Sequence, residues 1–157
     1  MDRAPRWPVV LAGLVCVVCS SPAQFRGFEA ATIELSPTFE VKPGEALEIP
    51  VSIRVRYGYH INSNRPNDEY LIPTRLTWDD GPLKPVAVSF PDAETVKYDF
   101  SEKPLSVYSG SIVITTKFDV PQSAAGLKQL TGKLRYQACN DKACLPPKTA
   151  AVSIPLR

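Results

Sequence analysis

Across residues 47–61 apolar side chains occupy every odd position: Leu47, Ile49, Val51, Ile53, Val55, Tyr57, Tyr59 and Ile61. Between them fall Glu48, Pro50, Ser52, Arg54, Arg56, Gly58 and His60. A period of two is the mark of a strand with one buried face and one wet face. On that alternation His60 lies off the core face. Proline cannot donate to a sheet ladder, so Pro50 asks for an edge position or a break, and the stretch reads as one strand or two.

Shorter strand-like runs occupy residues 32–35, 39–41, 74–78, 86–90, 111–118, 133–138 and 150–154. Turn chemistry separates them at Lys42-Pro43-Gly44, Asp79-Asp80-Gly81-Pro82, Pro91-Asp92 and Ala125-Gly126. Seven or eight short strands punctuated in this way predict an all-β fold, an immunoglobulin-like antiparallel β-sandwich forming a single domain. The core cysteine pair of immunoglobulins, far apart in sequence, is missing. Residues 62–73, with Asn64, Pro66, Asn67 and Asp68, form a loop long enough to carry function.

The N-terminus changes the picture. Arg3 and Arg6 precede an apolar run over residues 9–19, and Ser21-Pro22-Ala23 offers the small residues of a cleavage site. The run is well short of the roughly 20 residues of a membrane-spanning helix, so residues 1–23 read as a cleaved signal peptide rather than an anchor. Cys16 and Cys19 each follow a valine, which disfavours lipid attachment. Residues 24–157 are then the mature domain, long enough to bury a core without needing disulfides. The formal charge is +2, and loss of Asp2, Arg3 and Arg6 lowers it by one. That balance gives no footprint for nucleic acid and no acidic tail.

Export puts the remaining two of the four cysteines, Cys139 and Cys144, where disulfides form and persist. Leu134, Tyr136 and Ala138 share one face of the run 133–138, which turns Cys139 to the other, reachable by a partner's sulfur. A bridge between them closes six residues, and chain entropy assigns such a loop only about 2 kcal/mol. A local clamp on a hairpin is the competing reading. Lys142 favours a thiolate and Asp141 opposes it. A metal site lacks ligands, since His60 is the one histidine and Met1 the one methionine. No serine or cysteine has the base and orienting partner of a hydrolase.

Tyr136-Gln137-Ala138-Cys139 followed by Cys144-Leu145-Pro146-Pro147 resembles the end of the periplasmic N-terminal domain of the DsbD family, the thiol:disulfide interchange proteins or protein-disulfide reductases. Gly58-Tyr59-His60-Ile61-Asn62-Ser63-Asn64 and Tyr70-Leu71-Ile72-Pro73-Thr74 are similar to the family's opposing strand, and the likeness extends over residues 33–156. The resemblance implies an immunoglobulin-like domain with Cys139 and Cys144 as a redox pair, needing no cofactor. Electrons would come from a thioredoxin-like domain or membrane carrier. They would pass to periplasmic disulfide isomerases or the thioredoxins of cytochrome c maturation. On that pattern Cys139 exchanges with the partner and Cys144 resolves, although the resemblance does not order the two sulfurs. It also implies a cap loop at Tyr98-Asp99-Phe100, with Phe100 as the cap, and Tyr59 and His60 as candidates for the wall beside the cysteines. A phenylalanine is more often a core residue, and His60 reads equally as a plain surface histidine. Full-length family members continue into membrane and thioredoxin-like domains, so the expectation is a protein-disulfide reductase component with a separate electron donor. An immunoglobulin-like binding or structural domain with an inert disulfide is the alternative.

Overall fold

The alternation along the chain becomes burial along a strand. Ile49, Val51, Ile53 and Val55 are buried in a ten-residue strand, Ala46–Val55, while Glu48 and Arg54 face water. The structure, a computed structural model, describes residues 28–157. The expected signal peptide, its cleavage point, Cys16 and Cys19 lie outside them.

In chain order the strands are β1 (Ala31–Ile33), β2 (Ala46–Val55), β3 (His60–Asn62), β4 (Arg75–Trp78), β5 (Lys84–Ser89), β6 (Glu94–Val96), β7 (Leu105–Tyr108), β8 (Ser111–Asp119), β9 (Gln129–Tyr136), β10 (Ala138–Cys139) and β11 (Lys148–Pro155). They pair as β1-β2-β8-β5, β11-β9-β4 and β10-β3-β7-β6, antiparallel throughout. The fold is the expected all-β immunoglobulin-like sandwich. Ile49, Val51, Ile114 and Phe118 from the first sheet meet Leu130, Leu134, Val152 and Ile154 from the second in one core. The third sheet joins that core through Ile61, Tyr108 and Ala138. Where β4 crosses β9 there is no room for a side chain. A Cβ on Gly132 would overlap the Thr77 carbonyl oxygen and come within 2.8 Å of the Trp78 ring.

Three differences from the sequence reading matter for the site. First, the alternating run breaks at 56–59 rather than at Pro50. Gly58 takes φ 79° and the Tyr59 N–H donates to the Arg56 carbonyl at 3.0 Å, closing a turn. Tyr57 is therefore fully exposed instead of facing the core. Pro50 is accommodated within β2 because it pairs with Thr115 of β8 on one side, while the ladder to β1 ends at Ile53. Second, the run 133–138 is two strands in two sheets, with the chain crossing between them at Gln137. Third, β6 and β7 had no counterpart in the sequence reading, and they form the hairpin whose loop overhangs the cysteines. The run 39–41 yields only a bridge from Phe39 to Leu156.

Candidate functional site

Cys139 ends β10, directly opposite His60 of β3, as Ala138 is opposite Ile61. The chain then turns back so that Cys144 faces Cys139, and the two sulfurs are bonded. Asn140 builds the turn. Its side-chain oxygen accepts the N–H groups of Lys142 and Ala143, both at 2.9 Å, while its own N–H donates to the Ala143 carbonyl. This local closure is the ordinary competence of asparagine in turns. Asp141 and Lys142 are exposed at the tip. Below the cysteines the Leu145 N–H donates to the Ala138 carbonyl at 2.8 Å, squaring the hairpin.

Gln137, at the sheet crossing, ties three segments together. Its Oε1 accepts from Asn62 Nδ2 and from the Ile72 N–H, each at 3.1 Å, and its Nε2 donates to the Leu145 carbonyl at 3.2 Å. The loop after β3 is thereby held against the cysteine hairpin. Asn67 fastens the other end of that loop to the β6–β7 hairpin, donating to the Pro104 carbonyl and accepting from the Ser106 N–H.

The expectation that Cys139 faces water fails. It is fully buried, whereas Cys144 is partly exposed. The facing argument assumed an unbroken strand through residue 139, and the crossing at Gln137 resets which way the side chains point. The same holds for His60. It was placed off the core face, yet it is only 2 % exposed, and His60, Ile61 and Asn62 are all buried. A strand covered on both faces has no alternation to read.

What covers β3 on its outer side is the loop between β6 and β7. The Tyr98 ring stacks on the His60 imidazole at 4.2 Å between centroids, and Phe100 stacks on Tyr98 at 5.6 Å. An aromatic ladder thus climbs from the floor of the site to its mouth. Phe100 is 38 % exposed and lines an open cleft of about 470 Å³ together with Cys144, Tyr70, Leu71 and Asp68. Asp99 is exposed on the same loop and is not among the residues that line the cleft. Tyr59 lies apart from this cleft, packed on Phe28 at 5.2 Å. Tyr136 is a structural tyrosine. It is buried, and its hydroxyl donates to the Ala31 carbonyl at 3.1 Å and bonds Glu29 at 3.2 Å. Burial, and then the Glu29 carboxylate, push that phenol up to about 12. Sequence reasoning missed Gln137, Asn140, Tyr70 and Leu71 as parts of the site. The length of the loop 62–73 and the family-like run Tyr70-Leu71-Ile72-Pro73-Thr74 were the signals that pointed to the last two.

Electrostatically the floor is neutral. Burial lowers the His60 pKa from the ordinary 6.5 to about 4, and it raises the Tyr98 phenol, with Glu94 adding to the rise. Chemically, the arrangement is a disulfide with Cys139 fully buried opposite an uncharged histidine and Cys144 at an open cleft that Phe100 also lines.

The comparison with protein families is decisive at this point. Residues 30–155 match the model of "Thiol:disulfide interchange protein DsbD, N-terminal". The chain belongs to the DsbD N-terminal family. Family membership and the bonded cysteine pair together support thiol–disulfide exchange as its general chemistry. Among solved structures it is similar to the N-terminal domain of Neisseria meningitidis DsbD in the reduced form, at 21% identity and a TM-score of 0.48, over 68% of this chain and 74% of that one. It is also similar to the N-terminal periplasmic domain of ScsB from Proteus mirabilis, at 13% identity and a TM-score of 0.54. That likeness covers 79% of this chain and 44% of the other, and it bears on the fold alone. No curated protein matches the chain in sequence.

Proposed function

We propose that this domain is an exported, periplasmic thiol–disulfide exchange module in which Cys144 is the sulfur that partners meet and Cys139 the one that resolves. The observation that carries the reading is the asymmetry of the pair: Cys144 lines the cleft while Cys139 is sealed. Exchange requires in-line approach of a thiolate to a disulfide sulfur, so access selects the sulfur attacked. The sequence resemblance left the order of the two sulfurs open, and their unequal burial favours Cys144 as the one attacked. A donor thiolate attacks Cys144 Sγ, the Cys139–Cys144 bond breaks, and Cys139 leaves as the thiolate and takes up a proton. The donor's second thiol then closes its own disulfide and releases Cys144 as a thiol, so two electrons enter the pair. The reverse sequence reduces an acceptor.

The donor is a thioredoxin-like domain or a membrane electron carrier, and the acceptors are exported proteins such as disulfide isomerases or the thioredoxins of cytochrome c maturation. Family membership supports these partner classes, and the family's periplasmic relatives support the compartment. The cleft walls, Tyr70, Leu71 and Phe100, offer the partner an apolar rim.

Trapping tests the assignment. Cys139→Ser, mixed with an oxidised thioredoxin-like partner, should accumulate a covalent adduct through Cys144 that a dithiol cleaves. Cys144→Ser should give little adduct, because its remaining sulfur is buried. Adducts through Cys139 alone would reverse the roles. A wild-type bridge that no thioredoxin-like donor reduces would leave an immunoglobulin-like domain with an inert clamp.

A further inference from the structure

The ring of the chain's single histidine carries the Tyr98 stack, but its buried nitrogen is idle. His60 is 2 % exposed, and its Nε2 has no hydrogen-bond partner among the described residues. An orphaned buried polar atom is costly and calls for an explanation. The register supplies one. His60 is directly opposite Cys139, and opposed residues of an antiparallel pair project from the same face with Cβ atoms about 4.5–5.5 Å apart. A half-cystine at 139 carries no proton, whereas a thiol there carries one that water cannot collect from a fully buried position.

We propose that His60 is the proton acceptor for Cys139. The inference rests on the exchange reading above. In the mixed disulfide, Nε2 takes the Cys139 thiol proton as Cys139 Sγ attacks Cys144 Sγ. The Cys139–Cys144 bond forms, the bond from Cys144 to the partner breaks, and the partner sulfur leaves with the electron pair. The imidazolium returns its proton to that leaving sulfur or to solvent at the cleft. In the opposite direction, the imidazolium protonates Cys139 as it leaves.

The surroundings suit this task. Burial alone accounts for the low basicity of His60 in the disulfide form, and no carboxylate or cation contributes to it. The groups facing the ring are Cys139 from β10 and the Tyr98 phenol from the cap, with Glu94 beyond Tyr98 bonded to Ser109. Burial holds that phenol in its protonated form, so it adds no charge. A thiolate at 139 is then the one anion that would face the imidazole, and an adjacent opposite charge raises a histidine pKa. The base becomes stronger when its proton is due.

Ring closure with glutathione disulfide tests the inference. Reduced domain and glutathione disulfide first form a mixed disulfide at Cys144, and closure by Cys139 then releases glutathione. Quenched-flow mass spectrometry follows both steps. His60→Phe keeps an aromatic ring against Tyr98 and removes the base, and its closure rate is read relative to its own first step. It should slow closure about ten- to a hundredfold, the lower range of general acid–base catalysis. Closure in the variant should also rise more steeply with pH than in the wild type. Closure at the wild-type rate with an unchanged pH profile overturns the role of His60 and leaves exchange standing. Absence of any mixed disulfide overturns exchange itself, and the role of His60 with it. A second readout needs no variant: ring-nitrogen NMR of wild-type His60 should give a higher pKa in the dithiol than in the disulfide form. Equal values in the two states overturn the proposal.

Discussion

His60 sets a pH dependence that can be worked out in sign. Its folded pKa, about 4, lies below the ordinary 6.5, so between those values the unfolded chain binds the extra proton. Stability therefore rises with pH across that window and is lost as pH falls toward 4. The gap between those two values bounds the effect at about 3 kcal/mol, and relaxation that admits water to the ring reduces it. Urea midpoints of the oxidised protein from pH 4.5 to 7 should climb, and His60→Phe should flatten that climb by the histidine's share. An unchanged slope would mean that the imidazole is hydrated in solution. The residue-level contrast with Tyr136 is instructive. Both side chains are buried, but the tyrosine hydroxyl has two partners, Ala31 and Glu29, and the histidine Nε2 has none among the described residues.

At the level of elements, the working part is a pair of hairpins facing each other: β10 with its return through Cys144, and β6 with β7. The β6–β7 loop is held by its own contacts, Lys97 to the Ser101 carbonyl and Ser101 Oγ to the Lys103 carbonyl at 2.7 Å, and by the stack on His60. Phe100 is its outermost rung. Phe100→Ala should open Cys144 to small reagents and speed reduction of the bridge by dithiothreitol severalfold, with little change in thermal stability because the ring is 38 % exposed. An unchanged rate would show that Phe100 does not guard the sulfur.

These same elements mark the limit of what the sequence shows. Strands β2 and β8 alternate over eight or more residues and could be recognised from period two. Strands β6 and β7 are three and four residues long, too short to display any period. The break at Gln137 carries no proline or glycine, so nothing announced the change of sheet. The cysteine pair was legible from composition and from the flanking Tyr136, Pro146 and Pro147. Its orientation was not, because that depends on where one strand hands over to another.

For the molecule as a whole, the sandwich does not depend on its disulfide. The core runs through three sheets, and the bridge joins residues only five apart at the rim. Reduction should leave the fold intact and lower stability by about 2 kcal/mol, the chain-entropy value for so short a loop. Denaturant titrations with and without a dithiol check this. Collapse of the fold on reduction would instead make the bridge a staple and argue against redox cycling. A scaffold indifferent to the state of its sulfurs can visit both states without refolding.

The Asn140 turn has a further consequence for how such sites are to be sought. Its hydrogen bonds are all internal to residues 140–143, and none reaches the ladder below. An added or deleted residue there reshapes a surface knuckle and shifts no strand. The number of residues between the two cysteines is therefore a free parameter, and a search keyed to that interval would overlook proteins of the same design. What the geometry cannot tolerate losing is the base of the knuckle: the amide at 137, its partner at 62, and a cysteine facing a buried ring.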